Sequence, residues 1–379
     1  MHKKKIFSTV CIFLAVSAFY GLSLTWKEVE IQEKTKASQK KIKLRLSRTF
    51  NHDVQSFNQV KFMNKVRKTK RNRLNFTMLP WKYSHNYFVG DDVNYSMIIL
   101  IKSHANNTRR RQFIGNSWGS SAHVVNGFRF EIVFIVGLSD SKGNLALQKE
   151  NENHGDLLQT TFIESYENLV YKTLAGMQWA VETFPENWFY ASMDDDVLPD
   201  LVKISKDLQE IMEREKLERL RLLFDEPDID SSHNFNKDIK YKHLTDLPIY
   251  CGFGYRLKPR PKRLKESKWF MAEDEYPLKI YPSYCFGGFY AMTLKLAQDF
   301  YDLSRTLPMF WIDDIWITGF LRLKYFLGKS SQCVYCKVMN TTMGLWTEYP
   351  EEYTTVDTGN ENFLVQEWFK LQSKMTKIE

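Results

Sequence analysis

Asp194, Asp195 and Asp196 stand side by side in WFYASMDDDVLPD, Trp188 to Asp200, directly after an apolar run. Adjacent carboxylates repel one another, and a cation among them would relieve that charge. Extended backbone puts Asp194 and Asp196 on one face, roughly 7 Å apart, so a turn there can aim both at one ion. Their hard oxygens suit Mg2+ or Mn2+, ions that complete their shells with phosphate oxygens, which implies a metal-bound di- or triphosphate as partner. The competing reading is that these aspartates cap a helix beginning near Pro199 and favour its dipole. A second pair, Asp313 and Asp314, sits among bulky apolar residues in WIDDIWITGFL, Trp311 to Leu321. Burial beside aromatics raises a carboxylate's pKa and makes it a better general base, so Asp314 is a candidate base. The alternative is a pair of N-terminal aspartates on a half-buried helix.

Such groups need a frame that aims them. SMIILIKS (Ser96 to Ser103) and FEIVFIVG (Phe130 to Gly137) read as buried strands, with RRRQFIGNSWG (Arg109 to Gly119) as a helix between them. ESYENLVYKTLAGMQWAVETF gathers Tyr166, Leu169, Val170, Thr173, Met177 and Val181 on one helical face before Pro185, and NWFYASM is the strand that follows. Alternating strands and helices predict an α/β fold with a mainly parallel sheet. Ligands of open α/β sheets bind beyond the carboxyl ends of the strands, where Asp194 to Asp196 fall. Other phosphate and catalytic devices are missing: no GxGxxG follows a strand, the GKS at Gly328 to Ser330 lacks the upstream P-loop glycine, and HExxH and GxSxG are absent.

The amino terminus predicts a membrane address. Behind His2, Lys3, Lys4 and Lys5, the nineteen residues Ile6 to Leu24 carry no charge, close to the roughly 20 that cross a bilayer as a helix. The lysines set the short tail, 1–5, in the cytosol and the remainder in the lumen. A cleaved signal peptide, with VSA at Val16 to Ala18, is the rival reading. Residues 25–92 are rich in Lys, Arg, Gln, Asn and Ser and read as a stem, leaving 93–379 as the catalytic domain. The net charge of +8 is concentrated in that stem, with few aromatics to stack on bases, which argues against nucleic acid as a partner. Lumenal exposure predicts N-glycosylation at Asn75, Asn94, Asn106 and Asn340, and disulfides among Cys251, Cys285, Cys333 and Cys336, whose number allows three pairings. Cys333 and Cys336 read CVYC without a second CxxC, which favours a structural disulfide over zinc.

In order along the chain, these motifs resemble the β-1,3-galactosyltransferase family, glycosyltransferase family 31. RRQFIGNSWG (Arg110 to Gly119) is similar to its RRxxIRxTWG element, and FIVG (Phe134 to Gly137) to its next strand. HGDLLQTTFIESYENLVYKT (His154 to Thr173) resembles its GDIL…DSYxNLTLKT stretch, and ASMDDDV (Ala191 to Val197) its metal-binding DDDV. KWFMAEDEYPLKIYPSYCFGGFYAMT (Lys268 to Thr293) is similar to its KW…YPxYxxGxGYVLS segment, and DDIWITG (Asp313 to Gly319) to its EDVYVG.

The resemblance implies a GT-A domain, a Rossmann-like nucleotide-sugar-binding fold, carried on a type II anchor in the Golgi membrane. It also implies an inverting transferase moving galactose or N-acetylglucosamine from a UDP-sugar, with Mn2+ or Mg2+, in β-1,3 linkage onto a glycan of a glycoprotein or glycolipid. Asp196, with Asp194, would hold the metal; Arg110, Arg111, Asp194 and Asp195 would face the nucleotide; Asp314 would be the base. Tyr284, Gly287, Gly288 and Trp311 are expected beside the sugars. Gly115 departs from the pattern, standing where the family usually has arginine, and the polar stretch Asp225 to Asp246 looks longer than its counterpart. Two other classes compete. A glycosidase would use two carboxylates without metal or nucleotide, and a silent lumenal glycan-binding protein would keep the fold without the chemistry.

Overall fold

The computed structural model describes residues 72–84, 93–120, 123–224, 249–256, 259–327, 355–357 and 361–375. The predicted anchor and most of the stem lie outside them, as do Asn340, Cys333 and Cys336. Among the described residues no helix is long and apolar enough to cross a membrane.

In chain order the elements are β1 (Phe76–Met78), β2 (Tyr95–Lys102), α1 (Thr108–Asn116), β3 (His123–Val125), β4 (Phe128–Leu138), α2 (Ser141–His154) and β5 (Leu157–Ile163). Then come α3 (Leu169–Thr183), β6 (Phe189–Asp194), β7 (Val197–Pro199), α4 (Leu201–Phe224), β8 (Tyr255–Arg256), β9 (Tyr284–Cys285), β10 (Phe289–Thr293) and α5 (Leu294–Ser304). A π-helical turn (Ile315–Leu321), α6 (Arg322–Leu327), β11 (Thr355–Asp357) and α7 (Glu361–Met375) complete the described chain.

The main sheet has seven strands in the order β1-β5-β4-β2-β6-β10, with β3 paired to β4. The central neighbours β5, β4, β2 and β6 are parallel, whereas the edges β1 and β10 and the short β3 are antiparallel. This is the mostly parallel α/β sheet that the alternation of elements predicts. Central parallel strands are covered on both faces, which is why β2 and β4 are apolar almost without interruption. Alternation divides their side chains between two cores. Ile98 and Leu100 join Val170, Leu174 and Met177 of α3 and Leu296 and Phe300 of α5. Met97, Ile99 and Ile101 join Ile114 of α1, Ile204 and Leu208 of α4, and Leu364 of α7.

The folded domain begins earlier than residue 93. Within the segment expected to be stem, β1 adds to the edge of the sheet against β5. Trp81 Nε1 donates to Asn151 O at 2.6 Å, and the buried Tyr83 donates to Ile132 O at 3.1 Å. A three-residue edge strand needs backbone pairing and a few anchoring rings, not a periodic apolar pattern, so its composition hid it.

Cys251 and Cys285 form a disulfide. It ties the segment paired with β10 through the Tyr250–Ala291 bridge to β9, just before Gly287.

Candidate active site

The parallel register of β2 and β6 sets Lys102 opposite Asp194 at their carboxyl ends. Lys102 is 5% exposed, and its Nζ meets Asp194 Oδ1 at 3.0 Å, Asp313 Oδ2 at 3.1 Å and the Gly287 carbonyl at 3.2 Å. Burial alone would lower its pKa, but Asp194 and Asp313 outweigh that and raise it well above the ordinary value, so the ammonium persists. Thr173 of α3 donates to the same Asp313 oxygen at 2.8 Å. One cation thus gathers the aspartate cluster on β6 and the aspartate pair before the π-helical turn, which lie over a hundred residues apart in sequence.

The three aspartates have different environments. Asp194 keeps 38% of its side chain exposed, yet burial of its carboxyl pushes the pKa up to about 6, against the pull of Lys102 and with Asp196 and Asp313 adding repulsion. Asp195 is buried and consumed by the protein: Oδ1 accepts from Arg110 at 2.8 Å, and Oδ2 accepts from Ser103 Oγ at 2.7 Å and Asn107 Nδ2 at 2.9 Å. It pins the loop after β2 across the strand ends. Asp196 is half-buried beside them.

No cluster of three or more His, Cys, Asp or Glu side chains able to hold a metal occurs among the described residues. A site offering only Asp194 and Asp196 has too few donors for a calcium or zinc cage. It fits Mg2+ or Mn2+, which are held by one or two carboxylates together with waters and substrate phosphates.

The two expected arginines separate. Arg110, on α1, faces Asp195 and stays at the edge of the site. Arg111 is 2% exposed, with Nε and Nη2 donating to Glu150 at 2.7 and 2.8 Å and Nη1 to Ser103 Oγ and the His104 carbonyl at 3.0 and 2.7 Å. Nη2 also reaches Ala105 O and Thr108 Oγ1, both at 3.1 Å. With every N–H committed inside the protein, Arg111 braces the 103–108 loop and is not a nucleotide ligand. Gly115 lies one helical turn beyond Arg111, about 140° around α1 from Arg110. It borders a small cavity of about 170 Å3 shared with Arg111, Glu150 and Asp156. A basic residue there would project away from Asp194 and Asp196.

Asp314 occupies the corner where the chain enters the π-helical turn, a distortion frequent at functional sites. Its Oδ1 accepts from its neighbour Ile315 N at 2.7 Å and its Oδ2 from Gly287 N at 3.1 Å. Burial first, and the adjacent Asp313 charge second, lift its pKa to about 7, Lys102 and the two backbone donors pulling the other way. A Cβ on Gly287 would stand 3.5 Å from both Asp314 Cβ and Lys102 Nζ, so this glycine leaves open the space between the ammonium and Asp314. Gly288 has a different purpose: a Cβ there would come within 2.6 Å of the Phe253 ring, so packing requires the glycine, not a sugar.

Tyr284 is half-buried, its ring edge-on to Phe286 at 6.0 Å, and burial raises its phenol. Trp311 is half-buried and meets Tyr166 edge-on at 6.3 Å. Asn75, Asn94 and Asn106 are exposed, as glycosylation requires. Sequence reasoning gave Lys102, Thr173 and Tyr166 no place in the site, and it set Tyr166 on a helix that begins only at Leu169. The one signal for Lys102 was a charged residue closing the apolar run Met97 to Ile101.

A family model described as galactosyltransferase matches residues 109–332. The chain is 30% identical over 229 residues to a beta-1,3-galactosyltransferase of Drosophila melanogaster, brn, a match covering 60% of each chain. It is 23% identical over 222 residues to human beta-1,3-galactosyltransferase 5, covering 58% of this chain and 61% of that one. With lactosylceramide 1,3-N-acetyl-beta-D-glucosaminyltransferase B of Danio rerio it shares 26% identity over 249 residues, covering 62% of this chain and 57% of that one. The matches thus span about 60% of the relatives' length. Among solved structures, mouse xyloside xylosyltransferase 1 aligns over 71% of this chain and 98% of that one, with a TM-score of 0.29 and 11% identity.

Proposed function

The chain belongs to the galactosyltransferase family, and from that premise we propose that it is a GT-A hexosyltransferase moving galactose or N-acetylglucosamine from a UDP-sugar to a glycan hydroxyl in β-1,3 linkage. Both donors stay in the proposal because the relatives' names divide between them. The observation that carries it is Asp314: a carboxylate with its pKa lifted to about 7, fixed by two backbone N–H groups and facing the Lys102–Asp194 pair across Gly287.

In this reading Asp314 takes the proton from the acceptor hydroxyl as that oxygen attacks the anomeric carbon. UDP departs from the opposite face, so an α-linked donor gives a β-linked product. Asp194 and Asp196 would hold Mn2+ or Mg2+, which when bound neutralises the charge developing on the departing diphosphate. Lys102 holds Asp194 and Asp313 in place. Arg110 and Asp195 hold the 103–107 loop across the strand ends, and Thr173 fixes Asp313 beside the base. The Ile6–Leu24 anchor would set this chemistry in the Golgi lumen, with the protein single-pass and type II.

The test is UDP release from a panel of UDP-sugars with and without Mn2+, using a glycan acceptor mixture. Metal-dependent release from one donor names the sugar. Release that EDTA leaves untouched, or no binding of any donor, would refute the proposal.

A further inference from the structure

Next to the catalytic carboxylates the surface becomes aromatic. Trp311 lies three residues before Asp314 and meets Tyr166 edge-on, and Tyr166 Oη accepts from Trp269 Nε1 at 2.7 Å. Tyr166 and Trp269 are 41% and 43% exposed, large rings left in water where a buried core would have hidden them. Tyr166 is close enough to the site that Asp313, Asp314 and Asp194 all act on its phenol. Trp311, on the segment that leads into Asp314, links this ledge to the proposed base.

Beside these rings runs an open groove of about 550 Å3, within the range of about 300–1,000 Å3 usual for ligand sites. Trp311, Phe270, Glu167, Lys268, Asp274 and Glu275 line it. Lys268 sets its ammonium over the Trp269 and Tyr166 rings, 4.5 and 5.6 Å from their centroids. Three carboxylates stand against that one cation. Asp274 accepts from Glu275 N at 3.1 Å and Glu275 from Ala272 N at 3.3 Å, so each carboxylate retains lone pairs for further donors. Flat apolar rings suit the C–H faces of pyranoses, and carboxylates that can only accept suit their hydroxyls. The same carboxylates repel an anion at that position.

Resting on the transferase reading, we propose that this groove is the acceptor subsite and that it selects uncharged oligosaccharides over sialylated or sulfated ones. Trp311 supplies the stacking surface inside the groove, Trp269, between the lining residues Lys268 and Phe270, supplies an exposed ring at its edge, and Glu167, Asp274 and Glu275 supply the charge discrimination.

Labelled protein, applied to an array of neutral glycans and their sialylated and sulfated counterparts, tests this directly. UDP binding in Mn2+ is measured separately on the same preparations. The expected result is binding to neutral glycans at least several-fold above their acidic counterparts. Trp269→Ala should lower that binding on the order of tenfold, Trp269→Phe should restore most of it, and both should leave UDP binding unchanged. Asp274→Asn combined with Glu275→Gln should admit the acidic counterparts and flatten the salt dependence of discrimination, a response that structural damage would not produce. Acidic glycans bound as well as neutral ones, unchanged binding by Trp269→Ala, or no glycan binding while UDP binding is intact would each overturn the proposal. Neutral-glycan binding without any UDP binding would uphold the groove and reject the transferase reading.

Discussion

Asp314→Asn should make the protein more stable at alkaline pH while removing its chemistry. Folding lifts the Asp314 carboxyl from 3.8 to about 7, so the folded state holds its proton more tightly than the unfolded chain does. Stability tied to that proton is fully present below the ordinary carboxylate range and is lost as pH rises through about 7. At about 1.4 kcal/mol per tenfold in acidity, the ionised carboxylate costs about 4 kcal/mol at pH 8. Asparagine removes that charge but has one acceptor where aspartate has two. Either the Ile315 or the Gly287 N–H then faces an NH2 group, a loss of about 1–3 kcal/mol. The net expectation is a gain of about 1–3 kcal/mol at pH 8, and no gain or a small loss at pH 5, where Asp314 is already protonated. Thermal unfolding at the two pH values reads the difference, and UDP binding in Mn2+ should match the unaltered protein. Transfer should fall on the order of 10²- to 10⁴-fold, the usual worth of a general base. Equal transfer by the variant, or the same change in stability at both pH values, would refute the assignment of Asp314 as a base held at a raised pKa.

Other outcomes follow from the same geometry. Transfer by the unaltered enzyme should decline as pH falls below about 7, because the raised pKa protonates the base there, and a rate flat down to pH 5 would point to another group. Asp196→Ala should lose metal-dependent UDP binding in calorimetry while its melting temperature stays within a few degrees; unchanged binding would move the metal elsewhere. Gly115→Arg should fold, since a Cβ there meets nothing within 4 Å, and should leave UDP affinity unchanged, because that face of α1 turns toward Arg111 and Glu150. A UDP affinity raised tenfold would reverse that placement. Replacing Cys251 and Cys285 together by serine opens a loop closed over a sequence separation of 34, worth about 4 kcal/mol in chain entropy, which denaturant titration would register.

Much of this architecture was readable from the sequence because buried parallel strands and long amphipathic helices impose a pattern on many residues at once. The strands β2, β4 and β6, helix α3 and the position of Asp194 at a strand end all follow from such runs. What stayed hidden depends on single residues whose surroundings are set by distant chain. Arg110 and Arg111 are neighbours of the same type, yet 100° of helical rotation makes one a brace buried against Glu150 and leaves the other at the site. Lys102 resembles any lysine that ends a strand; its partner Asp313 is 211 residues away. Asp195 looked like a ligand because its neighbours do, and only the Ser103 and Asn107 contacts reveal it as a clasp. The π-helical turn carries no local signature, since Trp311 to Leu321 reads equally well as an ordinary helix.

The Cys251–Cys285 bond encloses the residues from Ser267 to Glu275, so the outer wall of the aromatic groove belongs to one covalently closed ring of chain. Asp194, Asp196, Lys102 and Asp314 all lie outside that ring. If the groove is the acceptor subsite, this ring carries most of its wall, with Glu167 and Trp311 contributed from outside the ring. On the proposed reading, exchanging the ring between its two cysteines should alter acceptor choice and leave UDP binding as it was.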